Sequence, residues 1–116
     1  MLALAVSIGA FGAHGLQGRL DAYSTGVYEK AVMYHFFHAL GMLAVPLLVR
    51  ARLISESAGN WTGWLLLIGI VLFSGSLYVL AITGMRILGA ITPIGGVSFI
   101  AAWVVLAVCA LRSRLS

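Results

Sequence analysis

Three histidines are the residues of this chain best suited to chemistry. His35 and His38 are three positions apart, so a helix places both imidazoles on one face, with Met42 one turn further along it. His14 lies on an earlier segment and can face them from a neighbouring helix. Neutral imidazoles bind copper, zinc or iron, a thioether suits copper(I), and opposed histidines can ligate haem. The spacing therefore allows a metal or haem site built from these four side chains.

The same histidines have two other interpretations. Imidazoles inside a membrane bundle can hydrogen-bond to hydroxyl groups or backbone carbonyls and so hold the helices together. A histidine also titrates near physiological pH, and polar residues inside a membrane mark ion and proton pathways. No carboxylate stands with the histidines inside the apolar runs, which weakens the pump and two-metal interpretations. The structural role is favoured, and the metal or haem site and the ion pathway are its alternatives.

The segments that carry these residues are suited to a lipid bilayer. The chain has 116 residues, of which 62% are hydrophobic and 9% are charged, and its mean hydropathy is +1.10. Soluble proteins have about a quarter of their residues charged, so this chain lacks the polar groups that a water-exposed surface needs. Because one crossing takes ~20 apolar helical residues, there is room for about four crossings. A separate soluble catalytic domain is excluded.

The apolar runs predict an all-α fold, a four-helix transmembrane bundle that forms a single integral membrane domain over residues 1–116. The predicted helices cover residues of about 1–16, 25–49, 61–82 and 93–111. Thr25 is predicted to cap the start of the second helix. Thr92 is predicted to cap the fourth, with Pro93 at the first helical position, where its missing N–H has no cost.

Charged residues stand singly at the ends of the apolar runs. Despite a formal net charge of +4, this pattern is typical of membrane orientation and not of nucleic-acid binding. Four crossings would put both termini on one side with Arg50, Arg52, Arg112 and Arg114, against three Lys and Arg on the other. That difference favours cytoplasmic termini in a multi-pass protein of the inner (plasma) membrane. The single cysteine, Cys109, can form neither an intrachain disulfide nor a cysteine-based metal site.

Polar residues of the predicted helices gather in one half of the bilayer. They lie toward the first and third loops, whereas the opposite half is almost purely Leu, Val, Ile, Ala and Trp. Ionisable residues at membrane depth are costly and usually face the bundle interior, so we predict one polar pocket there. Its predicted binding residues are His14, Tyr34, His35, His38, Ser74, Ser76, Tyr78, Arg86, Thr92, Gly95 and Gly96.

Four short stretches occur in the same order in a known family. They are GAFGAHGL at residues 9–16, YH at 34–35 with HAL at 38–40, FSGSLY at 73–78 and TPIGG at 92–96. The chain resembles the small integral membrane proteins called domain of unknown function 423, which include bacterial inner-membrane members and the animal transmembrane protein 256. The resemblance covers nearly the whole chain, although members usually carry a longer N-terminal lead. It implies a four-helix membrane protein without an assigned reaction.

No catalytic motif is visible in the sequence. There is no nucleophile with its base, no glycine-rich phosphate loop and no metalloprotease helix, so we expect that the protein is not an enzyme. We expect an accessory, scaffolding or binding subunit that associates with the lipid bilayer, as a homo-oligomer or within a larger membrane complex, and not with nucleic acid. The cofactor is left undecided. The alternatives are metal or haem binding through His14, His35 and His38, and a small oligomeric channel or transporter.

Overall fold

The computed structural model describes residues 1–115 and is all-α over that range, which confirms the predicted fold class. Its four helices are α1 Leu2–His14, α2 Ala22–Arg50, α3 Glu56–Thr83 and α4 Thr92–Leu115. Helix α3 contains one π-helical turn, Ile70–Ser74, and a short 3₁₀ helix, Arg86–Ala90, precedes α4.

Three of the four helices are long and apolar enough to cross a bilayer. At ~1.5 Å per residue, the 29 residues of α2 and the 28 residues of α3 rise ~44 and ~42 Å, and the 24 residues of α4 rise ~36 Å. Each exceeds the hydrocarbon thickness of ~30 Å. Helix α1 has 13 residues and rises only ~20 Å, which is less than the hydrocarbon thickness. Over residues 1–115 the structure therefore contains three helices long enough to cross, whereas the sequence predicts four crossings.

Helix α2 begins before the predicted cap at Thr25. The carboxylate of Asp21 accepts a hydrogen bond from the backbone N–H of Ser24 at 2.7 Å, so Asp21 is the N-cap and α2 starts at Ala22. This hydrogen bond stabilises the ionised carboxylate and holds the pKa of Asp21 below its ordinary value. Since α1 also ends earlier than predicted, at His14, the loop between α1 and α2 covers residues 15–21 and not 17–24.

Helix α3 also begins earlier than predicted, and α4 ends later. The Ser55 hydroxyl oxygen accepts from the Ala58 backbone N–H at 3.1 Å, so α3 starts at Glu56 and not at about residue 61. Helix α4 continues to Leu115 with two arginines in its last turn, where cations interact favourably with the helix dipole. Polar capping, not hydrophobicity, therefore sets where these helices begin.

Helices α2, α3 and α4 pack together, and α1 packs mainly against α2. The Cα envelope is flat, 55 by 26 by 16 Å. The main core contains the following buried side chains: Ala39, Val45, Ile54, Ala58, Leu66, Ile70, Phe99 and Ala102. Because the bundle is thin, many large apolar side chains remain exposed on its outer faces.

Two glycines let α3 and α4 approach closely. A Cβ atom on Gly95 of α4 would lie 2.3 Å from the Phe73 backbone nitrogen, inside the π-helical turn of α3. A Cβ atom on Gly69 would lie 2.3 Å from the ring of Phe99. Small residues at such crossings allow van der Waals contact between helix backbones, which is a main source of association energy in a bilayer. The closest crossing of the fold therefore sits at the π-helical turn.

Candidate functional site at the buried histidines

His38 lies at the centre of the bundle with a partner for each ring nitrogen. Trp103 of α4 donates its Nε1–H to His38 Nε2 at 3.1 Å. Because Nε2 accepts, the ring hydrogen is on Nδ1, and Nδ1–H donates to the Tyr34 backbone oxygen at 2.7 Å. This arrangement joins α2 to α4 and leaves no lone pair on His38 to bind a metal.

The His38 ring is also stacked among other aromatic rings. Its centroid is 3.4 Å from that of Phe99, with the planes 15° apart, and 5.9 Å from that of Tyr34, with the planes 6° apart. Phe73 of α3 contacts Tyr34 with a centroid distance of 4.4 Å. We call Tyr34, His38, Phe73, Phe99 and Trp103 the aromatic cluster. Since its members come from α2, α3 and α4, the cluster fixes the relative rotation of all three helices.

His35 is buried one turn before His38 and has a different environment. Its exposed fraction is 1%, and its Nδ1 lies 3.0 Å from the hydroxyl of Tyr78 on α3. Its Nε2 is buried and has no hydrogen-bond partner, a condition shared within residues 1–115 only by Thr62 Oγ1. Leaving such a group unpaired costs ~1–3 kcal/mol. His35 is therefore the histidine with unused hydrogen-bonding capacity.

Hydroxyl groups join the helices by donating to backbone carbonyls of a neighbouring helix. These bonds run from Tyr28 to Ile8, from Ser74 to Ala31 and from Ser98 to Leu65, at 2.5, 2.8 and 2.6 Å. The hydroxyls of Ser76 and Thr92 lie 2.7 Å apart and join α3 to the start of α4. These polar groups are satisfied inside the bundle and hold it together.

Two of these residues, Tyr28 and Ser98, were not predicted from the sequence. Tyr28 lies seven positions before His35, on the same face of α2, so helical periodicity is a signal that could have identified it. Ser98 lies three positions after Gly95 on α4. Both are buried or nearly so, and both contact a carbonyl that no side-chain pattern reveals.

The predicted pocket residues occupy several distinct places. Tyr34 and His38 belong to the aromatic cluster, His35 contacts Tyr78, and Ser74, Ser76 and Thr92 make the hydroxyl contacts above. Gly95 is packed against the backbone of α3, with Gly96 beside the Phe73 ring. His14 and Arg86 are exposed, at the end of α1 and in the 3₁₀ helix. The structure therefore gathers most of these side chains at helix contacts and leaves His14 and Arg86 outside.

The three histidines are not gathered into one group in the described part of the chain. Within residues 1–115, no group of three or more His, Cys, Asp and Glu side chains is placed to hold a metal ion. His14 is exposed, and both ring nitrogens of His38 have protein partners. Met42 is partly buried against the apolar core. The i, i+3 spacing correctly placed two histidines on one buried face, but their neighbours are tyrosine and tryptophan.

Comparison with known proteins assigns the chain to a family. The family model described as "Protein of unknown function (DUF423)" matches residues 8–96. The chain belongs to the DUF423 family. A "UPF0382 membrane protein" of Staphylococcus epidermidis is 53% identical over 109 residues, which cover 94% of this chain and 87% of the relative. "UPF0382 membrane protein YwdK" of Bacillus subtilis is 49% identical, with 94% and 88% covered. No solved structure matches the chain.

The DUF423 match covers most of the structure described above. It spans the second half of α1, all of α2 and α3, and the first residues of α4 up to Gly96. This range contains the two buried histidines, the π-helical turn and the Gly95 crossing. The names of these relatives state a membrane protein and no activity. The chain is therefore a helical membrane protein of an uncharacterised family.

Proposed function

We propose that this DUF423 protein is a non-enzymatic membrane subunit that acts by binding another membrane protein. The observation that carries this proposal is the use of both ring nitrogens of His38 inside the bundle. The residues most capable of chemistry join α2, α3 and α4 to one another and do not converge on a shared reactive centre. With the interior occupied in this way, the outer faces are the surfaces available for function.

Helix α4 offers the widest such face. It buries the smallest share of its apolar length among the three long helices. Exposed apolar side chains follow one another along it: Ile94, Val97, Ile100, Val104, Val108 and Leu111. Helices associate in a bilayer through close packing of such faces. We propose that the outer face of α4 contacts a helix of a second copy or of another protein.

Native mass spectrometry of the protein, extracted gently from its own membrane, tests the binding role. We expect a species whose mass exceeds that of one chain by a second copy or by a different protein. A single chain that carries a small cofactor of constant mass, lost in His38→Gln, would contradict the proposal.

Cysteine cross-linking tests the proposed face. In a Cys109→Ala background, a cysteine at Val104 is exposed on α4, whereas a cysteine at Ala102 is fully buried in the core. If the partner is a second copy, we expect Val104→Cys to form an intermolecular disulfide under mild oxidation in native membranes. If the partner is another protein, we expect a photoreactive label attached to the same cysteine to cross-link to that protein. Ala102→Cys is the matched control and should form neither. Equal reactivity at the two positions would contradict a specific face.

The proposed location is the inner (plasma) membrane, with the arginine-rich ends of α2 and α4 in the cytoplasm. The positive-inside tendency supports this, because Arg50, Arg52, Arg112 and Arg114 lie at that end. A reporter fused after α4 that is active only in the cytoplasm tests the orientation. Activity of a periplasmic or extracellular reporter at the same point would reverse it.

A second candidate, proton or ion passage, is favoured by the buried and unpartnered Nε2 of His35. An intramembrane ionisable group with free hydrogen-bonding capacity is a common feature of proton pathways. Proteoliposomes made from the purified protein should then show a proton or cation flux that His35→Asn abolishes and that His14→Asn, at an exposed position, does not. Absence of flux with the unmodified protein would rule this candidate out.

A further inference from the structure

A groove separates the end of α2 from the start of α3. It is open to the exterior and has a volume of about 530 Å³. Its apolar wall includes Met42, Pro46 and Leu67, and its mouth includes Arg50, Glu56 and Trp64. We call this feature the Arg50 groove. An apolar wall that ends at a guanidinium without an ion-pair partner among the described residues is the shape of a site for an amphiphile whose head is anionic.

The end of the molecule around the mouth is strongly basic, although the mouth itself is lined by one cation, Arg50, and one carboxylate, Glu56. Ser113 of α4 donates a hydrogen bond to the Leu53 carbonyl at 2.6 Å, which brings the end of α4 against the loop after α2. The same end of the molecule therefore carries Arg50, Arg52, Arg112 and Arg114 against one acidic side chain within residues 1–115, that of Glu56. Within residues 1–115, Arg50 forms no ion pair and no side-chain hydrogen bond. Its guanidinium is free to bind an anion, and a phosphate suits it best.

Two tryptophans mark the depth of the mouth. Trp61 and Trp64 are exposed to 65% and 63%, and both lie in the first third of α3. Exposed tryptophans on membrane helices are enriched at the level of the lipid headgroups. The Arg50 groove therefore opens where lipid phosphates are and extends toward the bilayer centre.

The length of the groove agrees with a lipid chain. Arg50 and Met42 are eight residues apart on α2, a rise of ~12 Å. One leaflet of a hydrocarbon core ~30 Å thick has a depth of ~15 Å, so the apolar wall runs beside most of one acyl chain. A water-soluble anion would make no use of this wall.

We propose that the Arg50 groove binds one anionic phospholipid, with the headgroup phosphate at Arg50 and an acyl chain along Met42, Pro46 and Leu67. This site is separate from the buried histidines and from the outer face of α4, and it does not depend on the proposed subunit role. No relative's name refers to such a site.

Gly63 allows the groove to be filled without disturbing the fold. It lines the groove, and a Cβ atom built on it would meet nothing within 4 Å. Gly63→Leu therefore puts a side chain into the space of the acyl chain. Gly26→Leu is the matched control, because Gly26 is also helical with nothing within 4 Å, and it does not line this groove. Arg112→Gln is the matched charge control for Arg50→Gln, since Arg112 is at the same end of the molecule but outside the groove.

The experiment is native mass spectrometry of purified, delipidated protein titrated with phosphatidylglycerol or with phosphatidylcholine of identical chains. We expect one tightly retained phosphatidylglycerol and weaker retention of phosphatidylcholine. Loss of one basic residue near lipid phosphate should lower phosphatidylglycerol retention about fivefold in Arg50→Gln. Gly63→Leu should lower retention of both lipids, and the two control variants should match the unmodified protein. Thermal melting of each variant should be unchanged, because both positions are open to the exterior.

Three results would overturn the proposal. Equal retention by Arg50→Gln, Gly63→Leu and the unmodified protein would show that lipid does not occupy the groove. An equal loss in Arg112→Gln and Arg50→Gln would show diffuse attraction by the arginine-rich end. Equal retention of the two lipids, both lost in Gly63→Leu, would show a groove that selects for chains and not for an anionic head.

Discussion

The two halves of this bundle treat their polar residues in opposite ways. In the half that contains the buried histidines and the start of α4, hereafter the polar half, side chains such as His38 and Ser74 face inward and bond to neighbouring helices. At the end that carries Arg50 and Trp64, hereafter the basic end, the interior is mostly aliphatic, with Thr62 as a buried polar exception, and the charged groups face outward. Inward polar groups stabilise helix contacts, whereas outward ones are free to bind something else. The difference separates the part that determines the architecture from the part available for recognition.

The largest contrast is expected from one substitution made in both halves. Gly95→Leu places side-chain atoms where the α3 backbone already is, since even a Cβ atom would lie 2.3 Å from the Phe73 nitrogen. We expect the free energy of unfolding to fall by ~3 kcal/mol or more, as for severe overpacking. Gly63→Leu at the basic end should leave it unchanged, because that position is open. Thermal unfolding in detergent measures both, and similar losses would remove the distinction between the halves.

The next effect concerns His38 and Trp103. His38→Phe keeps a ring in the aromatic cluster but leaves the Trp103 N–H without its acceptor. We expect a loss of ~1–2 kcal/mol, near the upper end for hydrogen bonds between membrane helices. Trp103→Phe should lower the free energy of unfolding by less in the His38→Phe background than in the unmodified protein. Strict additivity in this double-mutant cycle would show that the two side chains are not coupled.

A smaller effect is expected at Ser74. Ser74→Ala removes the hydrogen bond to the Ala31 carbonyl that joins the π-helical turn to α2. Interhelical hydrogen bonds of this kind contribute ~0.6 kcal/mol on average, and we expect a loss of that order. Ser57→Ala, at an exposed position on α3 of the basic end, is the control and should have no effect. Chemical denaturation in mixed micelles has the precision for this comparison, and equal effects at the two serines would contradict it.

The smallest effect is a pH dependence at the start of α2. The pKa of Asp21 is lowered in the folded protein from 3.8 by the Ser24 hydrogen bond, so its stabilising contribution is complete above that value. It is lost as the pH falls from 3.8 through the lower folded-state pKa. Asp21→Asn can still cap the helix but does not titrate, so its melting temperature should fall less on acidification. Parallel melting curves of the two proteins across this range would show that the cap contributes no acid sensitivity.

Helix content and the identity of the buried face were predictable from local pattern. The apolar runs indicated four helices, and the three-residue spacing of His35 and His38 placed both on one face of α2, where both are buried. The predicted starts of α2 and α3 were less accurate. The sequence placed them at about residues 25 and 61, whereas Asp21 and Ser55 are the N-caps in the structure. Capping depends on one side-chain hydrogen bond, which hydropathy does not detect.

The partners of the polar residues were not predictable in the same way. His38 bonds to Trp103, 65 residues away, and Ser98 bonds to the Leu65 carbonyl. Periodicity determines which face of a helix a residue occupies, but the neighbour opposite depends on the rotation and crossing of the second helix. In α3 the π-helical turn at Ile70–Ser74 adds a residue and turns everything after it by ~100° relative to a regular helix. The positions of Ser76 and Tyr78 follow from that local change.

The sequence alone determined the environment and the fold class of this protein, because both depend on the amount and order of apolar residues and not on any particular contact. It also determined the arginine-rich end, because charged residues cannot lie within the hydrocarbon and must stand where the apolar runs stop. Only the tertiary structure decided that His38 has no free nitrogen, that His14 does not join it in a metal site, and that Arg50 lines a groove. These facts depend on close packing at Gly95 and Gly69, where contacts of a few ångströms select one helix arrangement among many that satisfy the same hydropathy.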